Sequence, residues 1–273
     1  MTDQSMGPTD IKRVSVWLAM HGLADVRPTP LLATRLAARQ RVRLAAAVLP
    51  AAFILAVALV YSVDRPAGAA VDGSWWYRHW SLLVLTLLVV GLVLAQSLLG
   101  LWVRRVDRRA GAVLPRRAAH PVRLGWRTVL GGPRAAFAVT TFAGAMVLAI
   151  GALTVQDSTA RYAALILLIG LCGVAVGVVV QLRHILTHPV VADDEVSLTA
   201  DGIMRAEDAR DATTPTVVWC LPVVSVLDTA PGWWITAWVV FVALGAFTLA
   251  LITVGTALAA RRRGDATSAA VNR

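Results

Sequence analysis

The chain has 273 residues, of which 58% are hydrophobic and 15% charged, with a formal net charge of +10. An ordinary soluble domain carries about 45–50% apolar and about 25% charged residues. This balance therefore excludes a disordered or collagen-like chain, and two cysteines exclude a disulfide scaffold.

The apolar residues gather in blocks of about twenty, the length of a membrane helix. Of the 26 Lys and Arg residues only Lys12 is a lysine. With the abundant Ala, Gly and Pro, all residues of GC-rich codons, this points to a bacterial protein of the cytoplasmic membrane. Cys172 and Cys220 fall inside apolar runs and read as small buried hydrophobes.

Residues 1–43 form a cytoplasmic N-terminal segment. Asp10 is placed to cap a helix over 10–21 that gathers Ile11, Val14, Trp17 and Leu18 on one face, with Gly22 as its stop. Such a helix is expected to lie in the interface of the inner leaflet. No cleavable signal peptide is evident, because the apolar run after Lys12-Arg13 stops at Met20. Pro28-Thr29-Pro30 punctuates the chain, and a second helix over 31–43 leads into the first span.

The membrane domain occupies 44–260. Five spans are unambiguous: Leu44–Val63, Ser81–Val103, Ala135–Val155, Tyr162–Leu182 and Trp234–Ala260. At about 1.5 Å per residue each can cross a core of about 30 Å, and in lipid each must be helical to satisfy its own backbone. Seven Lys and Arg residues precede the first span, nine Arg fill loop 104–134, and Arg261-Arg262-Arg263 opens the tail 261–273. The positive-inside rule places all three on the cytoplasmic side. Five crossings would put the tail outside, so a sixth is required. The candidate is Thr214–Pro231, a short span with Pro222 in its apolar heart, Val217–Leu227. Trp219 would mark its inner end, Trp233 and Trp234 its outer end. A re-entrant or interfacial helix is the alternative. The expected fold is an all-α integral membrane protein, six transmembrane helices in three hairpins, both termini cytoplasmic.

The first and last hairpins show a weak repeat. Leu49-Pro50, Gly73-Ser74-Trp75-Trp76, Trp80 and Arg104-Arg105 are echoed by Leu221-Pro222, Gly232-Trp233-Trp234, Trp238 and Arg261-Arg262. Two outer-to-inner spans resemble each other anyway, because aromatic belts and positive ends are generic.

Loop 104–134 is strongly basic, which suits topology setting and anionic inner-leaflet lipid rather than nucleic acid. Pro121–Leu130 is a further candidate surface helix, and Gly131-Gly132-Pro133 turns the chain into the third span. Segment 183–213 is acidic: after Arg183, seven carboxylates from Asp193 to Asp211 face Arg205 and Arg210. Met204–Ala212 reads as helix, with a hairpin around Asp201-Gly202 as the alternative. Repelled by an anionic leaflet, this segment is expected to meet loop 104–134 or another protein.

His184 and His188 share an i, i+4 spacing that can serve a metal, but Pro189 follows at once and two interfacial polar residues are the simpler reading. His79 and His120 stand alone. Gln96, Thr140, Thr141 and Ser225 are the main intramembrane polar groups, and no ionisable residue lies deep in a span. Proton-coupled transport and intramembrane proteolysis thus lack their usual parts. No phosphate loop, His-Glu-x-x-His or Gly-x-Ser-x-Gly is present. Gly170, Gly173 and Gly177 form a close-packing face, expected to meet the third span or to serve a homo-oligomer.

The sequence thus points to no catalytic, cofactor-binding or metal residue. The favoured reading is a non-catalytic, permease-like or accessory subunit of a membrane transport complex, working with a cytoplasmic ATPase or other subunit. The alternative is a regulatory or scaffolding protein that docks a cytoplasmic partner through 183–213.

Overall fold

The computed structural model describes residues 7–70, 75–112, 125, 129–156, 158–187, 195–226 and 232–271. Every element among them is a helix: α1 (Pro8–Met20), α2 (Pro30–Ala70), α3 (Trp75–Ala112), α4 (Gly132–Leu153), α5 (Ser158–Thr187), α6 (Glu195–Ala212), α7 (Thr216–Cys220), α8 (Val223–Val226) and α9 (Gly232–Val271). Five of them, α2, α3, α4, α5 and α9, are long and apolar enough to cross a membrane. Loop 113–124, most of the candidate helix 121–130, His120 and His188 lie outside the described residues.

The sixth candidate departs from an ordinary span. Segment 214–231 breaks into α7 and α8 at Leu221-Pro222, because proline supplies no N–H and its ring blocks the preceding turn. Leu221 N–H still reaches Val217 O at 3.1 Å, but the next bond, Val224 N–H to Leu221 O at 3.2 Å, spans only three residues. The pieces are nevertheless core. Val217, Val218, Cys220, Leu221 and Val224 are buried with Phe53, Val57, Leu85, Val89 and Leu171. The Tyr61 hydroxyl donates to Val224 O near the far end of α2.

Helix ends follow local chemistry. Thr29 Oγ1 accepts from Leu32 N–H at 3.3 Å and caps α2. Gly22, at φ +73°, ends α1 with the Leu23 N–H bonded back to Leu18 O at 2.9 Å. Asp10 does not cap α1. That helix begins one turn earlier at Pro8, whose fixed φ suits a first position, and Asp10 sits within the first turn. Expected helices 31–43 and 44–63 are one continuous helix, α2, which runs on through Pro50 and has 41 residues.

The helices α3 and α5 pack closely through glycine. A Cβ at Gly170 would lie 2.7 Å from Val89 Cγ1 and 3.3 Å from Leu221 Cδ2, and one at Gly173 would lie 3.0 Å from Val93. The glycine face therefore meets α3 and the broken segment, not the third span (α4) as the short connecting turn suggests. Tight turns make neighbours in sequence, but the side of α5 that carries the glycines is set by helical phase.

Helix α9 runs antiparallel to α4. Its Trp234 indole N–H donates to Leu148 O at 3.2 Å, Phe241 lies against Gly144, and Gly245 takes the Trp219 ring, which also meets Phe137 edge-on. Trp234 and Trp238 stack edge-to-face inside the core rather than forming an aromatic belt. The two ends of the weak repeat differ in packing here: Trp238 is 2% exposed, whereas its counterpart Trp80 is 66% exposed.

Candidate functional site

At the end of the bundle where α2 begins and α3 and α5 finish, α1, α6 and the helix extensions build a small second core. Val14, Trp17 and Leu18 of α1 are buried against Leu32, Ala33 and Leu36 of α2 and Ala200 and Met204 of α6. The apolar face of α1, expected on lipid, is thus covered by protein at Val14, Trp17 and Leu18, while Ile11 stays exposed. Its opposite residues Val16 and Met20 remain exposed.

The acidic segment folds as α6, a helix throughout, so the hairpin reading of Val196–Arg205 is wrong. It packs on the end of stretch 104–134, Ala206 and Ala209 lying against Val129 and Leu130, but among the described residues its carboxylates do not pair with the arginines of that stretch. The carboxylates meet Arg35, Arg39 and Arg43, which recur every four residues and therefore share one face of α2. Arg35 bonds to the fully buried Asp201, and its Nε donates to Asp107 Oδ1 at 2.9 Å. Arg39 donates to Asp208 Oδ2 and Asp107 Oδ2, each at 2.9 Å. Arg43 reaches Asp211 at 2.6 Å and Glu207 at 2.8 Å. Arg205 closes the far side of Asp201 at 2.7 Å, and His21 Nε2 lies 3.1 Å from Glu207. Asp107, the one carboxylate of the basic stretch 104–134, is thereby tied between two arginines of α2.

Burial works against the Arg39 charge, but the pull of Asp208 and Asp107 outweighs it and holds the guanidinium protonated beyond its ordinary range. Such a buried cluster gives little net stability over an apolar one, yet removing one member strands the others without water. Its effect is geometric. It fixes where α6 stands on α2, and through Thr213–Pro215 it fixes where α7 enters the bundle.

Beneath the cluster lies a partly open cavity of about 350 Å³. Its mouth is charged, with Arg39, Arg43, Arg104, Asp107, Asp208 and Asp211. A polar belt of Gln96, Ser97, Gln181 and Thr216 follows, and the floor is apolar: Val93, Phe142, Val174, Val178, Val217 and Val218. The walls come from α2, α3, α5 and the first piece of the broken segment. Volume and gradient suit a small amphiphilic guest, since binding pockets are concave, mostly apolar and carry a few polar groups.

Of the residues singled out from the sequence, Gln96 and His184 line this cavity together with Gly173 and Gly177. Thr141 is buried elsewhere, and Thr140 bonds to Ala136 O at 2.9 Å in its own helix. Cys172 is exposed and Cys220 buried, so the two thiols sit in different environments. The cluster of Arg35, Arg39, Arg43, Asp107, Asp201 and Asp208 is the feature that sequence reasoning missed. The four-residue arginine spacing was its visible signal.

No protein-family model, curated protein or solved structure matches the chain.

Proposed function

We propose that this chain is a non-catalytic, permease-like or accessory membrane subunit that presents an amphipathic cavity at its basic end, on the cytoplasmic side of a bacterial membrane. The observation that carries the reading is the cavity itself, walled by a proline-broken segment. Discontinuous helices are tolerated at membrane depth where they line a cavity, and transporters build their binding sites from them.

In this reading the broken segment is the sixth passage and both termini are cytoplasmic. Its supports are the antiparallel contacts of α9 with α4, the contact of Trp219 with Phe137 near the start of α4, and that of Val224 with Tyr61 near the far end of α2. The scaffold reading is weaker. Among the described residues Asp201, Glu207, Asp208 and Asp211, four of the segment's seven carboxylates, are spent on the chain's own arginines, which leaves fewer of them for a partner.

Two measurements test this. A cysteine at Thr216, with Cys172 and Cys220 replaced, should react with a membrane-impermeant thiol reagent added from the cytoplasmic side and not from the other. Protection from both sides, or reaction from the outer side, would end the inward-facing cavity. Co-purification in mild detergent should bring down a nucleotide-binding or other subunit, and a solitary monomer would remove the accessory role.

A further inference from the structure

The charges around the cavity mouth are not equally engaged. Asp107, Asp208 and Asp211 are each bonded to Arg35, Arg39 or Arg43, so both signs are satisfied on the α2–α6 side. Arg104, on the α3 side, has no carboxylate partner among the described residues, and the charged group acting on it is another cation, Arg108. A partly buried guanidinium facing a cavity, with a like charge one turn away, has an unmet demand for an anion.

From Arg104 the cavity wall follows α3 through Gly100, Ser97 and Gln96 to Val93. Eleven residues at about 1.5 Å each make this path about 16 Å long. Helix α5 runs beside it with Gln181, Gly177 and Gly173, packed closely enough that a Cβ on Gly173 would lie 3.0 Å from Val93 and one on Gly100 would lie 3.6 Å from Gln181 Oε1. The wall along α3 is charged at Arg104 and apolar at Val93, so polarity falls along its length in one direction.

We infer that the cavity holds a single alkyl chain with an anionic head, a carboxylate or phosphate monoester, its head on Arg104 and its tail running past the Gln96–Gln181 belt to Phe142 and Val174. This inference rests on the proposed cavity reading and adds the class of its guest. A cationic amphiphile finds the mouth carboxylates already occupied. A free small anion gains nothing from the apolar floor.

The test uses the full chain in zwitterionic nanodiscs, with dodecyl phosphate, inorganic phosphate and dodecyltrimethylammonium as probes in a competition assay against a fluorescent dodecyl phosphate. One dodecyl phosphate is expected per chain, with no comparable binding of the other two. Arg104→Gln should weaken it about ten-fold, the scale of one charge-assisted hydrogen bond, and Arg104→Lys should restore most of the loss. Ser97→Phe should abolish binding by filling the path. Gly100→Leu repeats that test at a second position should the first variant not fold.

Equal binding of the cation, or no effect of Arg104→Gln, overturns the anionic guest. Unchanged dodecyl phosphate binding in both filled variants shows adsorption to bulk lipid and overturns the site. Thiol accessibility at Thr216 is independent of all three probes, so the cavity reading stands or falls separately.

Discussion

Asp201 is the sharpest test of the arginine–aspartate cluster. It is fully buried on α6 and accepts from Arg35 and from Arg205 Nε at 2.7 Å. Asp201→Asn keeps the shape, removes the charge, and leaves an amide that cannot accept from both guanidinium groups as a carboxylate does. Breaking a buried ion pair on one side costs about 3–5 kcal/mol when the stranded partner has no alternative. Here Arg35 keeps Asp107 at 2.9 Å, and the Arg205 side chain is 12% exposed and can gain water. The cost should therefore fall to about 2–3 kcal/mol. At about 1.36 kcal/mol per decade this is about a thirty- to 160-fold loss of amide hydrogen-exchange protection along α6, with α4 and α5 unaffected. Asp211→Asn is the control: that side chain is 52% exposed, and its loss should change protection only a few-fold. Equal, small effects of the two substitutions would show that the buried carboxylate does not hold α6 in place.

Gly170→Leu should push α5 from α3 and Leu221, lowering thermal stability by about 1–3 kcal/mol as overpacking does, whereas Gly91→Leu, with open space around its Cβ, should be nearly silent in a denaturation series. Tyr61→Phe removes the hydroxyl that donates to Val224 O and should cost about 1 kcal/mol, seen as faster exchange in α8 with α2 unchanged. High salt should release the exposed Arg43 pairs to Glu207 and Asp211 but spare the buried Arg35 and Arg39 contacts, so that only the last turn of α6 loses protection near 1 M salt.

The long spans were legible because length and apolarity suffice to define them; all five unambiguous blocks became helices able to cross a membrane. Gly22 and Gly131 could be read as punctuation for a similar reason, since both adopt the positive φ that glycine tolerates. The partner of the Gly170 face could not be read. Helical phase says that the glycines share a side, and only the tertiary arrangement says that α3 lies there. The same holds for α1, whose amphipathic face reads identically whether lipid or Leu32, Leu36 and Met204 will cover it. Charge counting along 183–213 found the right sign, and the segment does pack on Val129 and Leu130 of the basic stretch, but its ion pairs go to α2. The basic loop offered more arginines, whereas α2 offered three in register, and in a buried cluster register outweighs number.

The 41-residue helix α2 touches both ends of the segment that follows α6. Near its start, Arg39 and Arg43 hold Asp208 and Asp211, just before the chain dips into the bundle. Some eighteen residues further along, about 27 Å away, Tyr61 grips the backbone where that chain emerges from α8. One continuous helix thus holds a broken one at two points, with its own Pro50 between them. The entry and the exit of the broken piece, and with them one wall of the cavity, are therefore both tied to this helix.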